Sequence, residues 1–161
     1  MNIEDIYDYN SVDIAKLITA YANNNQYSIN ITKVQKLLYI AYGVYLAVRG
    51  KRLTNEHPQA WPYGPVFPTT RNKLNKIDLN LIDNTNADIS RLYEDESLMK
   101  LIELVFRSFG KNNAGSLSEW SHKEGSPWEK TTKIKGFKWG DVIPDSYIKE
   151  YFDKIVVRKD A

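Results

Sequence analysis

The chain has 161 residues, no cysteine, and 22 basic against 20 acidic side chains, which give a formal net charge of +2. A chain of this length is expected to form one domain, and the absence of cysteine excludes thiol catalysis, cysteine-ligated zinc and iron–sulfur clusters. The near balance of charge gives no overall footprint for a polyanion such as nucleic acid.

No segment of the sequence indicates export or membrane insertion. The stretch Met1–Ile6 is acidic and lacks the basic and apolar regions of a signal peptide. The longest uncharged apolar run, Leu37–Val48, is too short to span a bilayer. We therefore expect a soluble cytoplasmic protein without a membrane partner, and the lack of cysteine suits that reducing compartment.

The first predicted helix begins with Ser11 as its N-cap and runs to about Ala22. Its apolar face is formed by Ile14, Leu17, Ile18 and Tyr21. Asparagines tolerate turn geometry, so the run Asn23–Asn25 is expected to end the helix. A short link then leads to the next helix, which should pack against the first as an antiparallel partner.

The second predicted helix, Ile31–Val48, is apolar on most of its surface and is expected to be buried at the centre of the fold. Steps of three and four residues place one set on a single face: Val34, Leu38, Ala41, Tyr45 and Val48. Its start has two candidate caps, a Thr32–Gln35 capping box or Asn30, and Gly50 is a plausible stop. Gly43 indicates either a close approach by another element or a tolerated helix glycine.

A proline-rich aromatic turn, Ala60–Val66, follows this helix. Four of the six prolines in the chain fall between Pro58 and Pro68, and proline restricts both itself and the preceding residue to extended conformations. We expect this stiff segment to pack across the central helix. Leu53 and the segment near Trp61 are expected to pair as a small β-hairpin.

The segment after the turn is more varied. Thr69–Lys76 predicts a short basic helix, the alternation in Ile77–Leu81 predicts a strand, and Asn84–Asp88 predicts a polar surface loop. A clear amphipathic helix follows, with Gly110 as its stop. Its apolar face is formed by Leu98, Leu101, Ile102, Val105, Phe106 and Phe109.

Two further helices complete the predicted fold. One runs from about Ser116 to His122, and the last begins near Pro144, a residue that suits a first turn. Together these elements predict a mainly α fold, a compact single-domain bundle of about five to six helices with a small β-hairpin or short strands near the aromatic turn.

Three segments, in this order, resemble the Panacea domain family, which includes SocA-like antitoxins and phage-associated GepA-like proteins. They are Gln35–Tyr39, Ala60–Val66 and Leu117–Trp128. In the third segment Ser121 stands where the family more often has threonine, which keeps the hydroxyl. The resemblance covers nearly the whole chain and implies a single domain over residues 1–161. It further implies an antitoxin without a cofactor, which neutralises a cognate toxin encoded nearby by blocking it directly or by delivering it to a protease.

The aromatic residues of these motifs are the candidate partner-binding surface, because tryptophan and tyrosine dominate protein interfaces. We expect Trp61, Tyr63, Trp120 and Trp128 to converge in space, either as this surface or as a second layer of the core. The candidate binding residues are Trp61, Tyr63, Gly64, Pro65, Trp120, His122 and Trp128.

A nucleic-acid-binding regulator is the first alternative function. Between Trp128 and Trp139, four lysines alternate with aromatic residues, a composition that can bind a phosphate backbone and stack bases. These lysines are Lys130, Lys133, Lys135 and Lys138. A solvated lysine edge over core aromatic residues is the more common arrangement.

A metal-dependent hydrolase centred on His122 is a weaker alternative. A histidine beside tryptophans lacks the nucleophile and orienting partner that catalysis needs, and His57 is the other histidine in a chain without cysteine. The carboxylates of Asp78, Asp83 and Glu94–Glu96 are read as a loop and an acidic helix start. We therefore expect no catalytic residue, no metal site and no enzyme activity.

Overall fold

The computed structural model describes residues 6–160, with side chains as far as residue 156. The α-helices in that range are α1 (Ser11–Asn24), α2 (Ile31–Arg49), α3 (Pro68–Leu74), α4 (Glu96–Phe109), α5 (Ala114–Ser121), α6 (Pro127–Thr132) and α7 (Asp145–Asp160). The strands are β1 (Tyr7–Tyr9), β2 (Arg52–Thr54), β3 (Gln59–Trp61) and β4 (Gly64–Val66). The predicted mainly α fold with short strands at the aromatic turn is confirmed.

Helix α2 is the centre of the fold, and α1, α4, α5 and α7 all pack on it. The side chain of Asn30 accepts a hydrogen bond from the Lys33 amide at 2.8 Å, so Asn30 is the N-cap and the Thr32–Gln35 capping box is not used. Gly50 ends the helix in the left-handed region, with φ of 70°, and donates to the Leu46 carbonyl. Of the two candidate caps, Asn30 is therefore the correct one, and the predicted stop at Gly50 is confirmed.

Gly43 allows α7 to approach α2 closely. A Cβ atom built at Gly43 would lie 2.3 Å from the ring of Phe152, which is a distance that no side chain can accept. Of the two alternatives for this glycine, close approach is therefore correct. The ring of Phe152 also packs edge-on against Tyr39, with centroids 5.6 Å apart.

The first turn of α7 is tied to the centre of the fold by Asp145. Its carboxylate accepts a hydrogen bond from the Tyr42 hydroxyl at 2.7 Å and from the Arg52 guanidinium at 2.7 Å. Burial and the adjacent carboxylate raise the pKa of Tyr42. An acidic residue at a helix N-terminus is also favoured by the helix dipole.

Ser11 is not the N-cap of α1, contrary to expectation. The cap is Asn10, whose side chain accepts from the amides of Val12 and Asp13, and Ser11 is the first helical residue. Asparagine and serine are both favourable N-cap residues. Here Asn10 is the cap, and the side chain of Ser11 makes a contact elsewhere. The hydroxyl of Ser11 is buried and lies within hydrogen-bond distance of the Thr70 hydroxyl, at 2.9 Å.

Glu56 caps the start of α3 from outside the helix. One carboxylate oxygen accepts from the Thr69 amide at 2.6 Å, and the other accepts from the amide and the hydroxyl of Thr70 at 3.0 and 2.7 Å. The N-cap residue Phe67 offers no side-chain acceptor. The carboxylate therefore satisfies amides that would otherwise lack a partner.

The predicted pairing of Leu53 with the segment near Trp61 is wrong. Strand β2, which contains Leu53, pairs in parallel with β1, and the register places Tyr7 opposite Arg52 and Tyr9 opposite Thr54. The hairpin is formed within the aromatic turn itself, where β3 and β4 pair antiparallel with Trp61 opposite Gly64. Helices α1 and α2, which lie between β1 and β2 in the chain, supply the crossover that parallel strands need.

Residues 140–143 extend the hairpin by lying along the free edge of β3. The Ala60 amide donates to the Asp141 carbonyl and the Gly140 amide donates to the Ala60 carbonyl, both at 2.8 Å. The Ile143 amide adds a bond to the Pro58 carbonyl at 3.0 Å. The segment that precedes α7 therefore fixes the position of the aromatic turn.

The strand predicted for Ile77–Leu81 is wrong. The segment forms a 3₁₀ turn at Leu79–Leu81, and the side chain of Asp78 accepts from the Asn80 amide at its start. The short basic helix before it and the polar loop after it are confirmed, as α3 and as exposed turns around Asn84–Asp88. Helix α6 was not predicted. Within residues 6–160, no helix has both the length and the apolar character required to cross a bilayer.

Candidate functional site

A cleft of about 420 Å³, here called the hairpin cleft, opens between the β3–β4 hairpin, the first turns of α2, and helices α3 and α5. Its polar lining residues are Thr32, Gln35, Lys36, Arg71, Ser118 and His122. Its remaining lining residues are Trp61, Tyr63, Val66, Ala114 and Gly115. None of these lining residues is acidic, so the hairpin cleft presents positive charge and hydrogen-bond donors beside an aromatic wall.

The floor of the hairpin cleft is formed by Gln35 and Lys36, each only 2% exposed. The Lys36 ammonium donates to the Pro65 carbonyl at 2.8 Å, and the Gln35 side-chain oxygen accepts from the Phe67 amide at 2.7 Å. Burial, with a smaller contribution from the positive charge of Arg71, lowers the pKa of Lys36 to about 8. The two side chains hold β4 against α2.

The hairpin register explains why the Pro65 carbonyl bonds to Lys36 and the Phe67 amide bonds to Gln35. Pro65 lies opposite Ala60 in the hairpin. The Ala60 amide donates to the carbonyl of residue 141, and the Ala60 carbonyl accepts from the amide of residue 140, so neither group bonds to β4. The polar groups of Pro65 and Phe67 therefore point away from β3, toward α2. Proline has no amide to leave unpaired on such an edge, which explains why this position tolerates it.

Gly64 allows the hairpin to lie directly on the helices. Its φ is 115°, and a Cβ atom there would lie 2.7 Å from the Ser121 hydroxyl and 3.3 Å from the Lys36 ammonium nitrogen. Ser121 is itself buried and donates to the Ser118 carbonyl at 2.8 Å. The first and third sequence motifs thus meet at the glycine of the second.

Trp61, Trp128 and His122 lie close together. The Trp128 indole donates to the Trp61 carbonyl at 2.7 Å, and its ring lies 5.4 Å from that of His122. Trp139 stacks on Trp128 at 6.0 Å and is 56% exposed. The result is a partly exposed aromatic ridge beside the hairpin cleft.

Tyr63 and Trp120 have opposite environments. Tyr63 stands at the hairpin tip, is 80% exposed and lines the hairpin cleft. Trp120 lies on another side of α5 and packs against Phe109, Tyr151 and Phe152 at centroid distances of 5.1–6.1 Å. The four aromatic residues therefore do not all converge, and Trp120 belongs to the second layer of the core.

Among the described residues, His122 does not belong to a group of side chains that could hold a metal ion. Its Nδ1 atom is buried and has no hydrogen-bond partner in the described part of the chain. Residues 6–156 contain no group of three or more histidine, aspartate or glutamate side chains placed to hold a metal ion.

The four lysines do not form one continuous basic surface. Lys133 pairs with Glu129 at 3.0 Å, and Lys130 lies 6.0 Å from the Tyr147 ring centroid. The Lys138 amide is held by the Asp141 carboxylate at 2.9 Å, and Lys135 is exposed in the turn after α6. Carboxylates thus sit among the lysines, which dilutes the field that a phosphate backbone would meet. Nucleic-acid binding remains a prediction.

Of the eleven residues that line the hairpin cleft, only Trp61, Tyr63 and His122 were candidates from sequence, and the residues missed include Gln35, Lys36 and Arg71. Gln35 and Lys36 carried a signal, because they are polar residues inside a helix whose other surfaces are apolar. Such residues are buried only when they meet specific partners. Arg71 carried none, since a basic residue in a short exposed helix is ordinary.

Comparison with known proteins places this cleft within a matched region. Residues 34–129 match the family model described as "Antitoxin SocA-like, Panacea domain". The chain is 31% identical over 159 residues to Antitoxin SocA of Caulobacter vibrioides (strain NA1000 / CB15N), and the match covers 90% of this chain and 85% of that protein. No solved structure matches the chain. The family match spans the hairpin, α3 and α5, and all the lining residues of the hairpin cleft except Thr32.

Proposed function

The chain belongs to the antitoxin SocA-like family with the Panacea domain, and from that premise we propose that it neutralises a cognate toxin protein by non-covalent docking at the hairpin cleft. It acts as a binding module and not as an enzyme, and its site of action is the cytoplasm. The observation that carries this proposal is that the family match contains nearly the whole lining of the hairpin cleft.

The exposed aromatic residues support the hairpin cleft as the docking face. Tyr63 at the hairpin tip and Trp139 on the adjacent ridge are 80% and 56% exposed. Large aromatic side chains are costly to leave in water, and they contribute most of the energy in many protein interfaces. Trp139 is already held by its stacking on Trp128, so little conformational entropy is lost when a partner covers it.

Two modes of neutralisation are compatible with this docking. In direct blocking, the bound chain covers the active surface of the toxin. In delivery, the chain brings the toxin to a protease, which needs a second free surface for the protease. We propose direct blocking, because docking at the hairpin cleft is sufficient for it and no second surface is needed. Delivery predicts a shortened toxin lifetime in cells, whereas direct blocking predicts an unchanged one.

Co-expression tests the proposal. The product of the adjacent open reading frame is expressed alone and together with this chain, and growth and co-purification are measured. We expect restored growth and a stable complex. Replacing Tyr63 by alanine should weaken the complex about 30-fold, the effect of a strong interface residue. Leu81→Ala is the matched control, because Leu81 is 74% exposed and lies outside the hairpin cleft. A complex that tolerates both changes equally would contradict docking at this face.

A further inference from the structure

We propose that the floor of the hairpin cleft is a binding site for a side-chain carboxylate of the partner protein, received by Lys36 and Gln35. The inference rests on the function proposed above, since it names the chemistry that the docking partner must present. It concerns residues that are buried in the free protein, whereas the aromatic rim is exposed. The two can therefore be tested separately.

Gln35 supplies a donor whose orientation is fixed. Its side-chain oxygen must face the Phe67 amide, because that amide lies at 2.7 Å and needs an acceptor. The assignment of the oxygen fixes the position of the amide nitrogen Nε2, which is the donor of the same side-chain amide. It is buried, it has no hydrogen-bond partner within the described residues, and the side chain lines the hairpin cleft. A buried donor left without a partner is rare in folded proteins and calls for an explanation.

Lys36 supplies the charge. It is 2% exposed, and no carboxylate pairs with it in residues 6–156. Its bond to the Pro65 carbonyl uses one of the three ammonium donors. By contrast, the buried Lys33 donates to the Gly110 carbonyl just after α4, where the helix dipole favours a cation. Lys36 has no comparable compensation in the free protein.

The donor set matches a carboxylate. Lys36 carries one positive charge, and Lys36 and Gln35 together offer one donor to each of two oxygens that share a single negative charge. Arg71 at the edge of the cleft adds attraction for an approaching anion, and no acidic lining residue opposes it. The walls formed by Trp61 and Val66 suit the methylene groups of a glutamate side chain. A phosphate would bring more charge and more oxygens than this floor can satisfy.

Side-chain amide NMR of the full chain tests the site directly. The probe is N-acetyl-glutamic acid amide, added while the Gln35 side-chain NH₂ signals are followed. N-acetyl-glutamine amide, which has the same shape without the charge, and inorganic phosphate are the comparison ligands. We expect a saturable shift with the glutamate probe alone. Lys36→Met should weaken this binding about 10- to 100-fold, the usual effect of losing a hydrogen bond to a charged group.

The matched control is Lys73→Met, which removes an exposed lysine of α3 that does not line the cleft. It should leave the shift unchanged. Equal shifts with the glutamine analogue, a response to phosphate alone, or no response to any ligand would overturn the carboxylate site. The co-expression result for the wild-type chain is independent of these NMR outcomes. A toxin that is neutralised equally well by Lys36→Met would overturn this inference and leave the proposed function standing.

Discussion

Burying Lys36 without a carboxylate should lower the stability of the free protein, and Lys36→Met tests this. Methionine keeps the length and the apolar stem of lysine, so it fills the same space without the charge. The change also removes the hydrogen bond to the Pro65 carbonyl, which costs about 1–3 kcal/mol if that carbonyl stays buried. At any single pH, removing the buried charge raises the free energy of unfolding, whereas losing the hydrogen bond lowers it. The pH dependence separates them, because only the charge titrates.

The size of the effect follows from the pKa of Lys36. Burial lowers it from the usual 10.5 to about 8, which corresponds to about 3 kcal/mol lost on burying the charged form. The unfolded chain holds this proton more tightly, so it binds more protons than the folded protein between these two pKa values. Stability therefore rises with pH across that window, and the loss is fully present below it.

Urea unfolding followed by tryptophan fluorescence measures the prediction. The free energy of unfolding is compared for wild type and Lys36→Met at pH 7 and pH 10, with Lys73→Met as the control for removing an exposed lysine. We expect the difference, wild type minus Lys36→Met, to rise by about 2.5 kcal/mol between the two pH values. The Lys73→Met difference should stay within about 0.5 kcal/mol. A flat difference for Lys36→Met would refute the reasoning, since it would mean that the ammonium is solvated in the folded protein.

The other predictions concern the close contacts that shape the fold, each measured by chemical denaturation. Gly43→Ala should cost about 1–3 kcal/mol by overpacking against Phe152, and Phe152→Leu should partly relieve it; additive losses would argue against that contact. Glu56→Gln should cost about 1–3 kcal/mol through lost acceptors at the start of α3, and an unchanged midpoint would show that water replaces them. Gly64→Ala and Gly50→Ala both strain a positive φ by about 1–2 kcal/mol, but Gly64 should cost more because its Cβ has no space. Equal losses would contradict the close packing of the hairpin.

Local signals predicted the helices well because their ends are encoded nearby. Asn30 and Gly50 bound α2 as their residue types suggest, and burial then fixes its sides. The missed helix α6 carried a similar signal. Ser126 is its N-cap, Pro127 is its first residue, and Glu129 stands at the third position. That is the spacing of a capping box with proline at the first turn, so this helix was readable from the sequence.

Pairing between distant segments could not be read in the same way. Leu53 lies in a strand that pairs with residues 7–9 across two helices, and no local pattern specifies that register. The alternation in Ile77–Leu81 imitates a strand, but a strand needs a partner edge, and Asp78 favours the 3₁₀ turn instead.

The candidate site was predicted in part for the same reason. The motifs identified the hairpin and α5, and the structure joins them through Gly64 and Ser121. Which face of α5 meets the hairpin depends on tertiary packing. Trp120 therefore packs against the core, although Ser118 and His122 on either side of it in the sequence line the hairpin cleft.

Neither long edge of the β3–β4 hairpin is free to pair with an additional strand. Residues 140–143 occupy one side, and the side chains of Gln35 and Lys36 occupy the other, where Pro65 also lacks an amide. Open edges recruit foreign strands, either productively or as aggregates. A partner that docks at this hairpin, as proposed above, would therefore be recognised through its side chains and not by strand addition to β3 or β4.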